Sequence, residues 1–268
     1  MLPFEMPHIV RAPSRELKRL AVRMEWAFVA FGRTLGVVPL NSKWEALRYA
    51  WTLTNLTVRH AEATTLMART DVAHAPTAWI TARAAVESAA RTLWLLEPSI
   101  EWEREARWLA FLKEGERLGQ QERVKWLDIV VARSEGVGAF AREVEERLPE
   151  GIEVPQRTPT THQMLADLDP GLDAFYAIAS QFTHGAEFAT GMFRSNLGTE
   201  AKYGEGSSEG DWIVPIYHAW HAFRTSTLRL MATSGVPESR SMVMANVQVD
   251  LGFDLFTDSL DLPRVGSL

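Results

Sequence analysis

The chain has 268 residues, 46% of them hydrophobic and 23% charged, with a net charge of -6 and no cysteine. These values describe a chain that can bury a substantial core, and they exclude disorder throughout, a disulfide framework, a thiolate zinc site and a cysteine nucleophile. The negative balance argues against a nucleic-acid footprint over the whole surface while leaving room for a local basic patch, and no stretch approaches the roughly 18 apolar residues of a membrane span. The N-terminal "MLPFEMPHIVRAPSREL" has no basic region followed by an apolar run, so a cytoplasmic location without membrane association is expected.

Taken in chain order, pattern and punctuation describe helices. "PSRELKRLAVRMEWAFVAFGRTLG" starts after Pro13 and Ser14, repeats apolar residues at three and four, and stops at Gly36. Ser42 and Glu45 stand at capping-box spacing, which predicts a second helix from about 42 to 69. Pro76, placed where a first helical residue can lack its N–H, opens a third helix through "RAAVESAARTLWLLEP" to about Glu97, and Pro98 ends it. Ser99 can cap a long fourth helix through "IEWEREARWLAFLKEGERLGQQERVKWLDIVVARSEG", with a shorter charged helix in "GAFAREVEERLP". A small helix in "HQMLADLD" precedes a helix opened by Pro170, "PGLDAFYAIASQFTHGAEFATGMFRSN", in which Gly185 and Gly191 are internal weak points or close-packing sites. "LGTEAKYGEGSSEGD" reads as an exposed loop, and "DWIVPIYHAWHAFRTSTLRLMATSG" as the last strong helix. The tail after residue 236 contains "MVMANVQVDLGFDLF", the one region that could supply a strand. The expected architecture is an all-α multi-helix bundle over residues 1–236, with its core at about 76–235, an N-terminal helical hairpin packed on it, and an irregular C-terminal tail at 237–268.

The third helix carries an unusual feature: Arg83, Glu87 and Arg91 recur every fourth residue in an otherwise apolar segment. At 100° per residue they span roughly 80° and share a side with Trp79, Ile80 and Trp94. One reading is a solvated face with i,i+4 ion pairs over Trp; the other is an inward polar network, in which a glutamate between two arginines is the balance that burial demands. A second stripe supports the inward reading. In "FYAIASQFTHGAEF", Tyr176, Ser180 and His184 line one edge of their helix. Packed against the third helix, they would bring a hydroxyl and a titratable imidazole to two cations able to hold a phosphate. The competing reading of His184 is a satisfied core histidine beside a glycine that lets helices approach.

Other candidates are weaker. Arg104 and Arg107 could extend the cationic cluster, or pair with Glu101, Glu103 and Glu105 on a solvated face. His218 and His221 have metal-compatible spacing, but no helical E-x-x-H partner accompanies them, so neither metal nor cofactor is expected. The glycine-rich "TEAKYGEGSSEG" lacks the order of a phosphate-binding loop, and there is no nucleophile elbow.

The combination of "RAAVESAARTLWLLEP", "EREARW" and "YAIASQFTHG" resembles a group of uncharacterised bacterial, actinobacterial-type all-helical proteins that carry R-x-x-x-E-x-x-x-R-x-x-W-L-L-x-P and Y-x-x-x-S-x-x-x-H-G helices, over roughly residues 76 to 192. That group is distantly similar to HEPN-type bundles, which include ribonucleases of toxin and abortive-infection systems. The resemblance implies an RNA-cleaving or RNA-binding effector of a defence or toxin-type system. His184 would then be general acid or base, Arg83 and Arg91 would hold phosphate, Glu87 would orient an arginine, and Tyr176, Ser180, Arg104 and Arg107 would bind substrate. HEPN nucleases place an arginine four to six residues before the histidine. His184 has none there, so its arginine would have to come from another helix; Arg69 with His74 and Arg157 with His162 fit that spacing but fall near loops or proline. The alternative is a non-catalytic regulator or partner-binding subunit whose network only fixes helix register, and the apolar Trp-rich helices suit a homo-oligomer as readily as a core.

Overall fold

The computed structural model describes residues 11–121, 128–193 and 208–261. They form helices α1 (Arg15–Leu35), α2 (Ala46–Thr70), α3 (Ala75–Leu96), α4 (Glu101–Gly119), α5 (Asp128–Glu145), α6 (Thr161–Leu165), α7 (Pro170–His184), α8 (Glu187–Thr190), α9 (Ile213–Thr233) and α10 (Arg240–Ser259), with no strand among them. None of these helices is long and apolar enough to cross a membrane.

The all-α expectation holds. α3 lies at the centre, packed on α2, α9 and α7, and it buries fourteen of its residues because Ala at 75, 78, 82, 85, 89 and 90 lets neighbouring backbones approach. α2 packs chiefly on α3 and α9, while α1 packs chiefly on α10. The first two helices are therefore not an appended hairpin; α2 belongs to the core. Aromatic rings close the space between α1 and α9, with Phe28 and Phe31 at 5.0 Å and 4.9 Å from Phe223. Offset and edge contacts of this kind are worth about 0.5–1.5 kcal/mol beyond the area that they bury.

Several boundaries differ from the sequence reading, each for a physical reason. Among the described residues the tail is neither irregular nor a strand. Ser239 caps α10 by accepting from Met242 N, and Met242, Asn246, Val249, Phe253 and Phe256 recur at helical spacing to bury against the bundle. Its valines suggested β-structure, but packing overrides propensity, and Gly252 brings α10 so close to α1 that a Cβ there would stand 3.0 Å from Leu20 Cδ1. The long fourth helix is divided. α4 ends at Gly119, residues 122–127 lie outside the described residues, and α5 takes in most of what the sequence assigned to a separate charged helix. α7 stops at His184 because Gly185 adopts φ 60°, a left-handed C-terminal stop instead of a weak point inside a longer helix. The expected loop at 197–211 falls largely outside the described residues.

α2 starts at Ala46, and Ser42 does not cap it: the Ser42 hydroxyl is buried without a hydrogen-bond partner among the described residues. Its first N–H groups are held from α4 instead. Glu105, fully buried, accepts from Trp44 N (2.9 Å) and Glu45 N (3.1 Å) as well as from Ala46 N (3.0 Å). A carboxylate at a helix N-terminus satisfies orphan donors and meets the positive end of the helix dipole.

Candidate functional site

α7 runs antiparallel to α3, and aromatic stacking sets the register. Trp79 lies nearly parallel to Phe175 (centroids 5.4 Å apart) and Phe182 (4.7 Å). One turn further along α3, Arg83 reaches the polar stripe of α7. Its Nε donates to Ser180 Oγ (3.0 Å), Nη2 donates to the Tyr176 hydroxyl (2.8 Å), and Nη1 pairs with Glu87 Oε2 at 3.4 Å. Ser180 in turn donates to the Tyr176 carbonyl at 2.7 Å. The two stripes singled out in the sequence therefore meet.

They do not meet inside the bundle. The side chains of Arg83, Glu87 and Arg91 remain 19%, 36% and 28% exposed, and with Thr77, Ile80 and Ala84 they form the one edge of α3 that its neighbours leave partly open. The network thus lines a half-buried strip, a geometry between the two readings of the stripe.

Arg91 does not join Arg83. It forms a two-pronged pair with Glu114 of α4, at 3.2 Å and 3.0 Å, with its guanidinium over the Phe111 ring. Burial disfavours its charge, yet Glu114, with Glu87 and Tyr49, outweighs that and holds the Arg91 pKa above its ordinary value. Glu114 responds in kind: burial pushes its carboxyl up, but the hydrogen bonds and charge of Arg91 pull it lower overall. Two residues that the sequence reading missed belong to this strip. His60 of α2 feels the Glu87 charge, although burial leaves its imidazole below the ordinary value. Tyr49 stacks on Phe111 at 5.4 Å, and burial raises its hydroxyl. No local signal marks His60, because the helix that supplies its polar neighbour comes later in the chain.

His184 is not brought to the cations. It is exposed at the last position of α7, and its imidazole forms no hydrogen bond among the described residues. Arg91 lies eight residues past Arg83 in one direction and His184 four past Ser180 in the other, so at 1.5 Å rise per residue the two are about 18 Å apart along the helix axes. Arg104 and Arg107 are occupied elsewhere. Arg107 donates to the Trp94 carbonyl and pairs with Glu97 at 2.7 Å, while Arg104 donates to the carbonyls of Pro98 (2.8 Å) and Ser99 (3.0 Å). Arg107 thus caps the end of α3, and Arg104 ties down the connection between α3 and α4. Glu105, expected on a solvated face, is the buried cap of α2.

His218 and His221 of α9 have structural partners. His221 Nε2 donates to Asp169 Oδ2 (2.8 Å), whose other oxygen caps α7 by accepting from Leu172 N. His218 lies flat on Phe175, at 4.4 Å, and Nδ1 donates to the Val214 carbonyl. Among the described residues no three His, Asp or Glu side chains converge as metal ligands. Arg69 pairs with Glu25 and His162 with Asp173, so neither spacing-matched Arg–His pair is joined. Comparison with family models, characterised proteins and solved structures gave no match to this chain.

The Arg83 tie has a measurable consequence. Arg83→Leu removes two hydrogen bonds that join α3 to α7, with an ion pair inside α3, and is expected to cost about 2 kcal/mol in urea unfolding, against about 1 kcal/mol for Tyr176→Phe. The double variant should fall short of their sum by several tenths of a kcal/mol or more, since both lose the same bond. Strict additivity would show that the two side chains act independently.

Proposed function

We propose that this chain is a non-catalytic helical interaction subunit. The observation that supports it is the self-sufficiency of the network over α3. Arg83 spends its donors on Ser180, Tyr176 and Glu87, and Arg91 spends its own on Glu114. Two cations and two carboxylates balance, so little positive field is left to hold a phosphate, and the role that this geometry suits is holding helices in register. The HEPN-like relationship stands in this proposal as a resemblance. Its RNA-cleaving version requires a general acid or base beside the bound phosphate, and exposed His184, remote from Arg91 and unbonded to Arg83, gives that version less support.

The test is an RNA-cleavage assay on the purified full chain with single-stranded and hairpin RNA. Intact RNA with both the natural chain and His184→Ala is expected. Cleavage that disappears in a His184→Ala or Glu87→Gln variant of unchanged circular dichroism would overturn the proposal.

A further inference from the structure

α1 buries the side that runs through Leu17, Met24 and Phe31 and leaves a second seam open opposite it. Arg15, Arg19, Val22, Trp26, Val29 and Arg33 recur there at alternating intervals of four and three residues, and all are exposed, Trp26 to 75%. Such alternation is the repeat by which one helix interlocks with another. Here its centre is apolar and both ends are arginines. α10 lies beside this seam and runs antiparallel to α1, with Arg23 Nη1 donating to the Gln248 carbonyl (3.3 Å) and Thr34 Oγ1 lying 3.4 Å from Ser239 Oγ. The two helices bound a groove of about 780 Å³, walled by Val22, Trp26 and Val29 on one side and by Ser241, Met244 and Gln248, again spaced by three and four, on the other. Val243 and Val247, exposed on another side of α10, are not among its walls. The groove is as large as ordinary binding clefts, which run to roughly 300–1,000 Å³.

The charge along the groove has one sign, and that indicates what covers it. Arg23 and Arg33 line it, and past Val22 it continues into a hollow of about 590 Å³ lined by Arg15, Lys18 and Arg19. No carboxylate is among the described residues that line either space. Glu16 stands 3.6 Å from Arg19, but the pair is too exposed to cancel the field. On α10, Asp250 and Asp254 lie roughly 120° or more around the helix from Gln248. An acidic helix laid along the groove matches this surface. Large apolar side chains at 3-4 spacing would meet Val22, Trp26 and Val29, and carboxylates beyond them at each end would meet Arg19 and Arg33. Those two arginines are fourteen residues apart, about 21 Å along the axis, so the partner's acidic groups stand about four turns apart. A second copy of this chain would bring the cations of its own α1 to the same arginines, and like charge opposes it. A bilayer surface is flat and does not enter a groove between two helices.

We propose that the α1–α10 groove receives an amphipathic helix of another protein, one with large apolar side chains along its inner face and carboxylates at both ends of that face. This is helix-in-groove recognition, in which the apolar anchors supply affinity and the end charges supply selectivity. The proposal rests on reading the chain as an interaction subunit, but the two fail separately: RNA cleavage by the chain removes the earlier reading alone, and failure of the peptide experiment removes this one alone.

Fluorescence anisotropy of a labelled helical peptide of about 21 residues provides the test. The probe carries leucine at three successive positions of 3-4 spacing, a glutamate pair at each end of that face, and alanine and glutamine elsewhere; its control has lysine in place of every glutamate. The natural full chain is expected to bind the acidic peptide at least about tenfold more tightly than the lysine peptide. Trp26→Asp should weaken that binding by at least about tenfold with the circular dichroism unchanged. Arg19→Glu with Arg33→Glu should reverse the preference between the peptides, a gain that a folding defect cannot produce. Equal binding of the two peptides, no saturable binding of the acidic one, indifference to Trp26→Asp, or no reversal in the charge variant would each overturn the proposal. So would a natural chain that fills the groove by self-association, or that binds RNA or vesicles of anionic lipid through it, with the interaction lost in Trp26→Asp.

Discussion

Glu105→Ala is expected to lower folding stability by about 3 kcal/mol, one of the two largest effects anticipated for this fold. The side chain is fully buried and accepts from three successive backbone N–H groups, at 2.9, 3.1 and 3.0 Å, at the start of α2. Alanine leaves those donors without an acceptor in a place where water enters poorly, and an orphaned buried donor costs about 1–3 kcal/mol. Burial pushes the Glu105 carboxyl above its ordinary range and the three N–H groups offset this only in part, so some of the loss is returned when the charge is removed. Glu105→Gln keeps the shape and one acceptor oxygen and should therefore lose about half as much. Urea unfolding followed by circular dichroism measures both, and hydrogen exchange at Trp44, Glu45 and Ala46 reports the cap directly. A loss below about 1 kcal/mol for Glu105→Ala would mean that the start of α2 finds other acceptors.

Acid is expected to destabilise the fold through His218 by a comparable amount. Burial lowers this imidazole from 6.5 to about 4, and its bond to the Val214 carbonyl only partly opposes the shift. The folded state therefore binds the His218 proton more weakly than the unfolded chain. The sign follows: the contribution is fully present above pH 6.5, diminishes as the unfolded chain takes up the proton below it, and is lost by about pH 4. At 1.36 kcal/mol per pH unit the whole window is worth about 3 kcal/mol. Glu105 and Asp250 act in the opposite sense, because burial raises both and ionisation in the folded state costs stability as pH rises. The informative readout is hence the difference between the natural chain and His218→Leu. His218→Leu should have a shallower acid limb between pH 6.5 and 4, and parallel limbs would show that the imidazole is free to charge where it sits.

Arg83 illustrates how far the candidate site was legible. Its residue types and spacing pointed to Tyr176 and Ser180, because side chains four apart on two helices can meet only along facing edges. His184 shares that edge in sequence, but periodicity gives the angle around a helix and leaves open which level of one helix faces which level of another. Trp79 stacking on Phe175 and Phe182 set that level and left His184 a turn away from the Arg83 tie, exposed at the last position of α7. Arg104, Arg107 and Glu105 show the same limit. Arg107 and Glu105 satisfy backbone groups of another helix and Arg104 those of the connection before its own, and such groups have no signature in the residues that meet them.

The sequence by itself determined the helical class, the starts of α1 after Ser14 and of α7 at Pro170, the end of α3 before Pro98, and the two polar edges, since those follow from local backbone preferences and a 3.6-residue period. Only the tertiary structure decided that the valine-rich tail is a helix, that the charged strip is half open, and that Val22, Trp26 and Val29 of α1 stay exposed. These outcomes depend on what packs against each element. A helix that is apolar on two sides reads as core until the fold covers one side and leaves the other bare.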